Sequence, residues 1–144
     1  MIGSMGTQRV TPLSQLAVRS IGLASGRLAE GALRTDIARF EMDALAFALT
    51  MSRVTDEAKA GNETGAMSSM LKYYGTELNK RRAELTMSVA GTDGLKFGEE
   101  QDESHAEDKL ASMWLRTKAN SIEGGTSEVQ LNIIAKNVLR LPGA

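Results

Sequence analysis

Apolar residues recur at intervals of three and four along most of the chain, which is the period of helices with one buried face. Strand-like alternation never persists beyond a few residues. Long helices with short connections favour an all-α, up-down four-helix bundle, here followed by a short fifth C-terminal helix. Thr11 is the expected N-cap of the first helix. The five predicted segments are Pro12 to about Leu23, Ala32 to Ala60, Ala66 to Val89, Ala106 to Ser121, and Ser127 to about Leu139.

The second predicted helix is apolar on more than one side. Leu45 and Leu49 lie outside its main stripe and widen the apolar surface. A single bundle cannot cover all of that surface, so the pattern predicts self-association. The main stripe consists of Leu33, Ile37, Phe40, Ala44, Ala48 and Met51.

The third and fourth predicted helices each have one apolar face. Charged residues, Lys72 among them, are assigned to the other sides of the third helix. In the third helix, the apolar face comprises Met67, Leu71, Tyr74, Leu78, Leu85 and Val89. In the fourth, the inward set is Leu110, Met113, Trp114 and Thr117.

The composition of the chain excludes several classes of function. The 144 residues are 42% hydrophobic and 24% charged, which suits one folded domain. A net charge of -1 gives no general attraction to nucleic acid or to an anionic membrane. The chain has no cysteine and a single histidine, His105 in an acidic run, so no metal site is expected. No membrane span or secretory signal is evident, which favours a cytoplasmic protein and leaves the mitochondrial matrix open.

Two glycine-containing turns are the candidate binding sites. "AGTDGL" places Gly91 and Gly94 after the third helix, where they serve either as a helix stop or as a close approach to a phosphate or ribose. In "IEGGTSE", Gly124 and Gly125 precede a helix that Thr126 or Ser127 would cap. A helix that starts after two glycines can bind the polar groups of a cofactor. It can equally be a turn between two helices with no ligand, and the residues alone leave both interpretations open.

The C-terminal run "IEGGTSEVQLNIIAKNVLRLP" resembles the C-terminal signature of acyl-CoA dehydrogenases, which often reads "GGTxEIQRNIIAxRVLGLP". The segments "SSMLKYYGTELNKRRAELTMSVAGTDGL" and "RTDIARFEMDALAFAL" are similar to the two preceding helices of that family. The resemblance covers residues 1–144 as one C-terminal helical domain, without the family's N-terminal helical domain and middle β-domain. It implies a flavoprotein of fatty acid metabolism that oxidises the Cα–Cβ bond of acyl-CoA with FAD. Electron-transfer flavoprotein would be its partner, and the assembly would be a homo-oligomer.

The resemblance also implies roles for individual residues. Gly125, Thr126 and Glu128 match positions at the flavin. Gly91 and Gly94 match the turn that approaches the adenosine end of FAD bound to a neighbouring subunit.

The catalytic base is where the chain departs from the family. Many relatives have a glutamate at the position of Gly124, and others place the base upstream of the matched region. Glu123 is therefore the candidate base in this chain, with a base upstream of Met1 as the alternative. The isolated chain is expected to lack a complete FAD site. The alternative function is a non-catalytic helical scaffold or partner subunit without its own flavin site.

Overall fold

The computed structural model describes residues 11–62, 64–65, 67–96 and 109–142. Within these ranges the all-α prediction is confirmed, and the one β-type pairing is an isolated antiparallel bridge between Ala24 and Arg27. Predictions for residues 1–10, for Ala66, for His105 and for residues 106–108 lie outside the described ranges. The helices are α1 (Leu13–Ile21), α2 (Gly31–Lys59), α3 (Met67–Ala90), α4 (Leu110–Lys118) and α5 (Ser127–Ile133).

Helix α3 is the central element and contacts the other four helices. Asp43 of α2 pairs with Arg81 of α3, whereas Phe47 of α2 contacts Tyr74, which lies earlier in α3. The order of these contacts makes α2 and α3 antiparallel. Helix α4 runs back along α3, since Lys118 at its end pairs with Glu84 and Asn120 just beyond it accepts a hydrogen bond from Lys72, near the start of α3. The predicted up-down bundle is therefore confirmed.

The largest group of buried apolar side chains lies at one end of the bundle, between α1, the first half of α2 and the last turns of α3. Burying this surface is the main favourable term in folding. The predicted stripe of α2 holds in its first half, since Leu33, Ile37 and Phe40 are buried. It fails in the second half, where Ala48 and Met51 are exposed and Val54 is buried instead.

Helix α2 also carries an apolar face that nothing in the described chain covers. Met42, Leu45 and Leu49 lie along one side of the helix with exposed fractions of 64%, 62% and 64%. Three large apolar side chains exposed in a row mark a contact surface more often than a free one. This face is called the α2 outer stripe below.

The start of α1 differs from the prediction. The helix begins at Leu13 with Pro12 at the N-cap position, so the assignment of Thr11 as the cap is wrong. A carboxylate from α2 caps the helix instead. Glu41 Oε1 accepts hydrogen bonds from the Ser14 backbone N–H at 2.9 Å and from its hydroxyl at 2.8 Å. A helix start left without its own cap is thus satisfied by a residue distant in sequence.

Helix α2 ends at Lys59, one residue before the predicted limit of Ala60, and a glycine follows its C-cap. Gly61 has φ +82° and donates to the Ala58 carbonyl, and the Asn62 N–H reaches back to the Glu57 carbonyl. These two bonds are the Schellman arrangement, which requires a left-handed residue at the position of the glycine.

The last two helices are shorter than predicted. Helix α4 is followed by a 3-10 turn over Ala119–Ser121, and α5 passes into a π-helical turn over Ile134–Val138. The inward assignment of Met113 is wrong, because its side chain is 61% exposed.

Candidate functional site

The chain between α4 and α5 turns at two glycines with left-handed backbone angles. φ is +64° at Gly124 and +99° at Gly125, a region that residues with a side chain rarely enter. Thr126 then adopts an extended conformation and caps α5, its hydroxyl accepting a hydrogen bond from the Val129 N–H at 3.3 Å. Of the two predicted caps, Thr126 is the one used. Residues 120–126 are called the glycine corner below.

Two side chains hold the glycine corner from its inner side. Lys72 of α3 donates from Nζ to the Gly125 carbonyl at 2.6 Å and to the Asn120 carbonyl at 3.2 Å. Gln130 of α5 is buried and donates from Nε2 to the Gly124 carbonyl at 3.1 Å. The corner is therefore a fixed structure, with its glycine carbonyls bound by donors from two helices.

Glu128 lies in the first turn of α5 and is exposed. Its own backbone N–H, and next the Thr126 hydroxyl, hold the pKa of this carboxyl below its ordinary value. A negative charge at this end of a helix is also favoured by the helix dipole. The outer surface beside the corner thus carries a stable carboxylate.

The proposed base, Glu123, lies at the surface of the corner on the side of α4. Its carboxylate pairs with Arg116 at 2.8 Å, and both side chains are more than half exposed. Its backbone N–H bonds to the Ala119 carbonyl and continues the last turn of that helix. A base must reach the proton that it removes, so Glu123 would have to leave Arg116 to act.

Gly91 and Gly94 lie in the 3-10 turn that follows α3. Gly91 has φ +59°, and a Cβ on the buried Gly94 would fall 3.0 Å from the Ala90 Cβ. Lys72, which binds the corner, lies 19 residues before Gly91 along the helix. At 1.5 Å per residue, the two positions are about 28 Å apart. The structure therefore does not bring these glycines together with Gly125, Thr126 and Glu128.

Comparison with known proteins identifies the family. A family model described as "Acyl-CoA dehydrogenase, C-terminal domain" matches residues 3–139. The chain belongs to this family. Among curated proteins, acyl-CoA dehydrogenase FadE34 of Mycobacterium tuberculosis (strain ATCC 25618 / H37Rv) is 28% identical to it over 146 aligned residues. That alignment covers 93% of this chain and 19% of the relative, so the chain spans less than a fifth of the length of FadE34. No solved structure matches the chain significantly.

Two general features complete the description of this acyl-CoA dehydrogenase C-terminal domain. No helix in the described ranges is long and apolar enough to cross a membrane. Within the same ranges, no group of three or more histidine, cysteine, aspartate or glutamate side chains comes together that could hold a metal ion.

Three residues that contact the corner had no predicted role there. Lys72 was assigned to the charged sides of α3, and its bonds to the corner carbonyls were not predicted. Gln130 and Arg116 had no predicted role. A local signal existed for Gln130, which lies four residues after Thr126 and hence one helical turn from the corner. No comparable signal points to Lys72 or Arg116, because their partners are set by how α3, α4 and the corner pack.

Proposed function

We propose that this domain forms one wall of the FAD site of a flavin-dependent oxidoreductase acting on the Cα–Cβ bond of acyl-CoA thioesters. The observation that carries the proposal is the glycine corner, a bound and capped turn at the start of a helix in a chain of this family. Electron-transfer flavoprotein is the electron acceptor that the family resemblance implies.

The residues of the corner offer backbone donors to a polar ligand. A Cβ on Gly124 would meet nothing nearer than Lys72 Cε at 4.0 Å, so there is space at the corner. The Gly124 and Gly125 carbonyls are bound on the inner side. In trans peptides this directs the N–H groups of Gly125 and Thr126 to the opposite side. Gly125, Thr126 and Glu128 would hold the flavin there, and FAD when bound would supply the acceptor for the substrate hydride.

The role of Gly91 and Gly94 follows from their distance from the corner. At about 28 Å along α3, they fit the resemblance that assigns them to the cofactor of a neighbouring subunit. Self-association would provide that neighbour, and the α2 outer stripe is the proposed contact surface. Leu45→Glu combined with Leu49→Glu should reduce the mass measured by light scattering, whereas Thr55→Glu on the same helix should not. A wild-type chain that is monomeric at high concentration would contradict this part of the proposal.

A second candidate function is a helical scaffold without its own chemistry. Gly124 occupies the position where many relatives have the base, and Glu123 is held by Arg116 at the surface. Under this hypothesis the corner is retained as a structural turn, and a partner subunit supplies the flavin and the base.

Purification of the protein that the gene encodes distinguishes the two functions. The flavoprotein hypothesis predicts that the protein carries or takes up FAD and that an acyl-CoA bleaches the visible flavin absorbance anaerobically. Glu128→Gln should weaken FAD binding, whereas Thr55→Val should not, because that hydroxyl bonds only to the Met51 carbonyl on exposed α2. A protein that stays colourless with added FAD favours the scaffold.

A further inference from the structure

The ammonium group of Lys72 bridges the two ends of the glycine corner. One of its carbonyl partners, Asn120, lies where the 3-10 turn after α4 begins to leave the helix, and the other, Gly125, immediately precedes the cap of α5. We propose that Lys72 is a positioning residue that fixes the conformation of the corner and thereby the placement of Thr126 and Glu128. This inference rests on the proposed function only for its consequence on flavin binding.

The partners of Lys72 set it apart from the other lysines near the corner. Lys80 pairs with the Glu77 carboxylate at 2.7 Å and also donates to the Ser121 hydroxyl at 2.7 Å, and Lys118 pairs with the carboxylate of Glu84. No carboxylate in the described part of the chain lies within ion-pair distance of Lys72, and its two hydrogen bonds both go to backbone carbonyls. Its positive charge is therefore used to hold backbone and not to balance an acid. Hydrogen bonds from a charged donor are about twice as strong as neutral ones.

The consequence of this clamp follows from the geometry of the peptide. The Lys72 bond to the Gly125 carbonyl fixes the orientation of the peptide that joins Gly125 to Thr126. Gln130 fixes the preceding peptide in the same way through the Gly124 carbonyl. Because glycines rotate freely, a corner that loses one of these donors gains alternative backbone conformations. The cap at Thr126 and the carboxylate of Glu128 would then no longer have one fixed position.

Amide hydrogen exchange on the chain tests the clamp without any flavin. Lys72→Met keeps much of the side-chain volume and removes the charge and the donors. The hydrogen-bonded amides at the corner and its cap, those of Ile122, Glu123 and Val129, should exchange about tenfold faster or more, the change that losing a charge-assisted hydrogen bond produces in a local opening equilibrium. Exchange in the core of α2 should stay unchanged. Lys59→Met, which removes an exposed lysine that pairs with Asp56 on α2, is the control and should leave these amides within about threefold of the parent.

Two further measurements separate a local clamp from general stability. Lys72→Arg restores the charge and the donors, so it should recover much of the lost protection. In the unaltered chain, the ammonium protons of Lys72 should exchange with water more slowly than those of exposed Lys59, which NMR of lysine ammonium groups can detect. Unchanged corner exchange in Lys72→Met, or loss of protection spread evenly over all helices, would overturn the inference, as would fast ammonium exchange at Lys72.

Flavin binding is measured separately from the conformation of the corner. If the protein that the gene encodes binds FAD, Lys72→Met should weaken the binding at least tenfold more than Lys59→Met. If it binds no FAD while Lys72→Met still loosens the corner, the clamp stands and the proposed function fails. If FAD binds and Lys72→Met neither loosens the corner nor weakens the binding, the clamp fails and the proposed function stands.

Discussion

Replacing Gly125 with alanine tests whether the glycine corner requires glycine for two separate reasons. The first is backbone strain, because φ at this position is +99°. The second is space, because an added Cβ would lie 2.6 Å from Gln130 Nε2 and 3.7 Å from its Cδ. Gln130 is buried and donates to the Gly124 carbonyl. It cannot move away without losing that bond.

The expected destabilisation is the sum of these two effects. A residue with a Cβ in the left-handed region costs about 1–2 kcal/mol. Displacing Gln130 adds about 1–2 kcal/mol for its hydrogen bond and for the carbonyl that is left unpaired. Gly125→Ala should therefore lower the free energy of unfolding by about 2–4 kcal/mol. With a urea m-value of about 1–3 kcal/mol/M for a domain of this size, the denaturation midpoint should fall by roughly 1–2 M.

A matched glycine provides the control for strain alone. Gly61 has φ +82° with nothing within 4 Å of a built Cβ, so Gly61→Ala should cost only about 1–2 kcal/mol. Urea unfolding followed by far-ultraviolet circular dichroism measures both variants. The space term is then isolated by repeating Gly125→Ala in a Gln130→Ala background, where its cost should fall to that of Gly61→Ala. Equal losses for the two alanine variants in the unaltered background would refute the steric argument.

Three other predictions follow from the helix ends and the α2–α3 contact. Glu41→Ala removes both hydrogen bonds to Ser14, so it should lower the free energy of unfolding by about 1–2 kcal/mol in urea titrations. The lowered folded pKa of Glu128 contributes stability that is present above the unfolded pKa of about 4.3 and is lost as pH falls through the folded value, so Glu128→Gln should flatten the stability profile below about pH 5. An added Cβ in Gly75→Ala would lie 3.0 Å from Phe47 Cζ, so the change should destabilise the unaltered protein. In a Phe47→Leu background the ring is gone and only the helix propensity gain of about 1 kcal/mol remains, so the same change should raise the thermal midpoint there.

Much of the fold could be predicted because its determinants are local. The spacing of apolar residues located all five helices and placed the end of α2 within one residue of Lys59, where it lies. Thr126 was a predictable cap for the same reason, since it acts on a backbone N–H three residues away. The cap of α1 was not predictable, because its acceptor on Glu41 lies 27 residues from Ser14.

The side chains that hold the candidate site in place could not be predicted for a related reason. Lys72 lies 48 residues from Asn120 and 53 from Gly125, and a lysine on a helix usually points into solvent. Lys72 reaches the corner carbonyls only because α3 packs against the corner in the folded chain. Arg116 and Glu123 likewise meet only because the corner turns back towards α4.

The structure divides the signature residues into two groups that call for different tests. Gly124 and Gly125 have left-handed backbone angles, Thr126 caps α5, and Gln130 is buried and bonds to the corner. The fold alone therefore explains why a chain with this corner needs those residues, whether or not it binds a flavin. Glu128 is different, because its side chain is exposed and bonds only to its own N–H and to Thr126. Substitutions at the first group would disturb the corner and any ligand together, so loss of flavin binding there would not separate the two. Glu128→Gln leaves the backbone of the corner unchanged, and it is the substitution whose effect on FAD affinity bears directly on the flavin hypothesis.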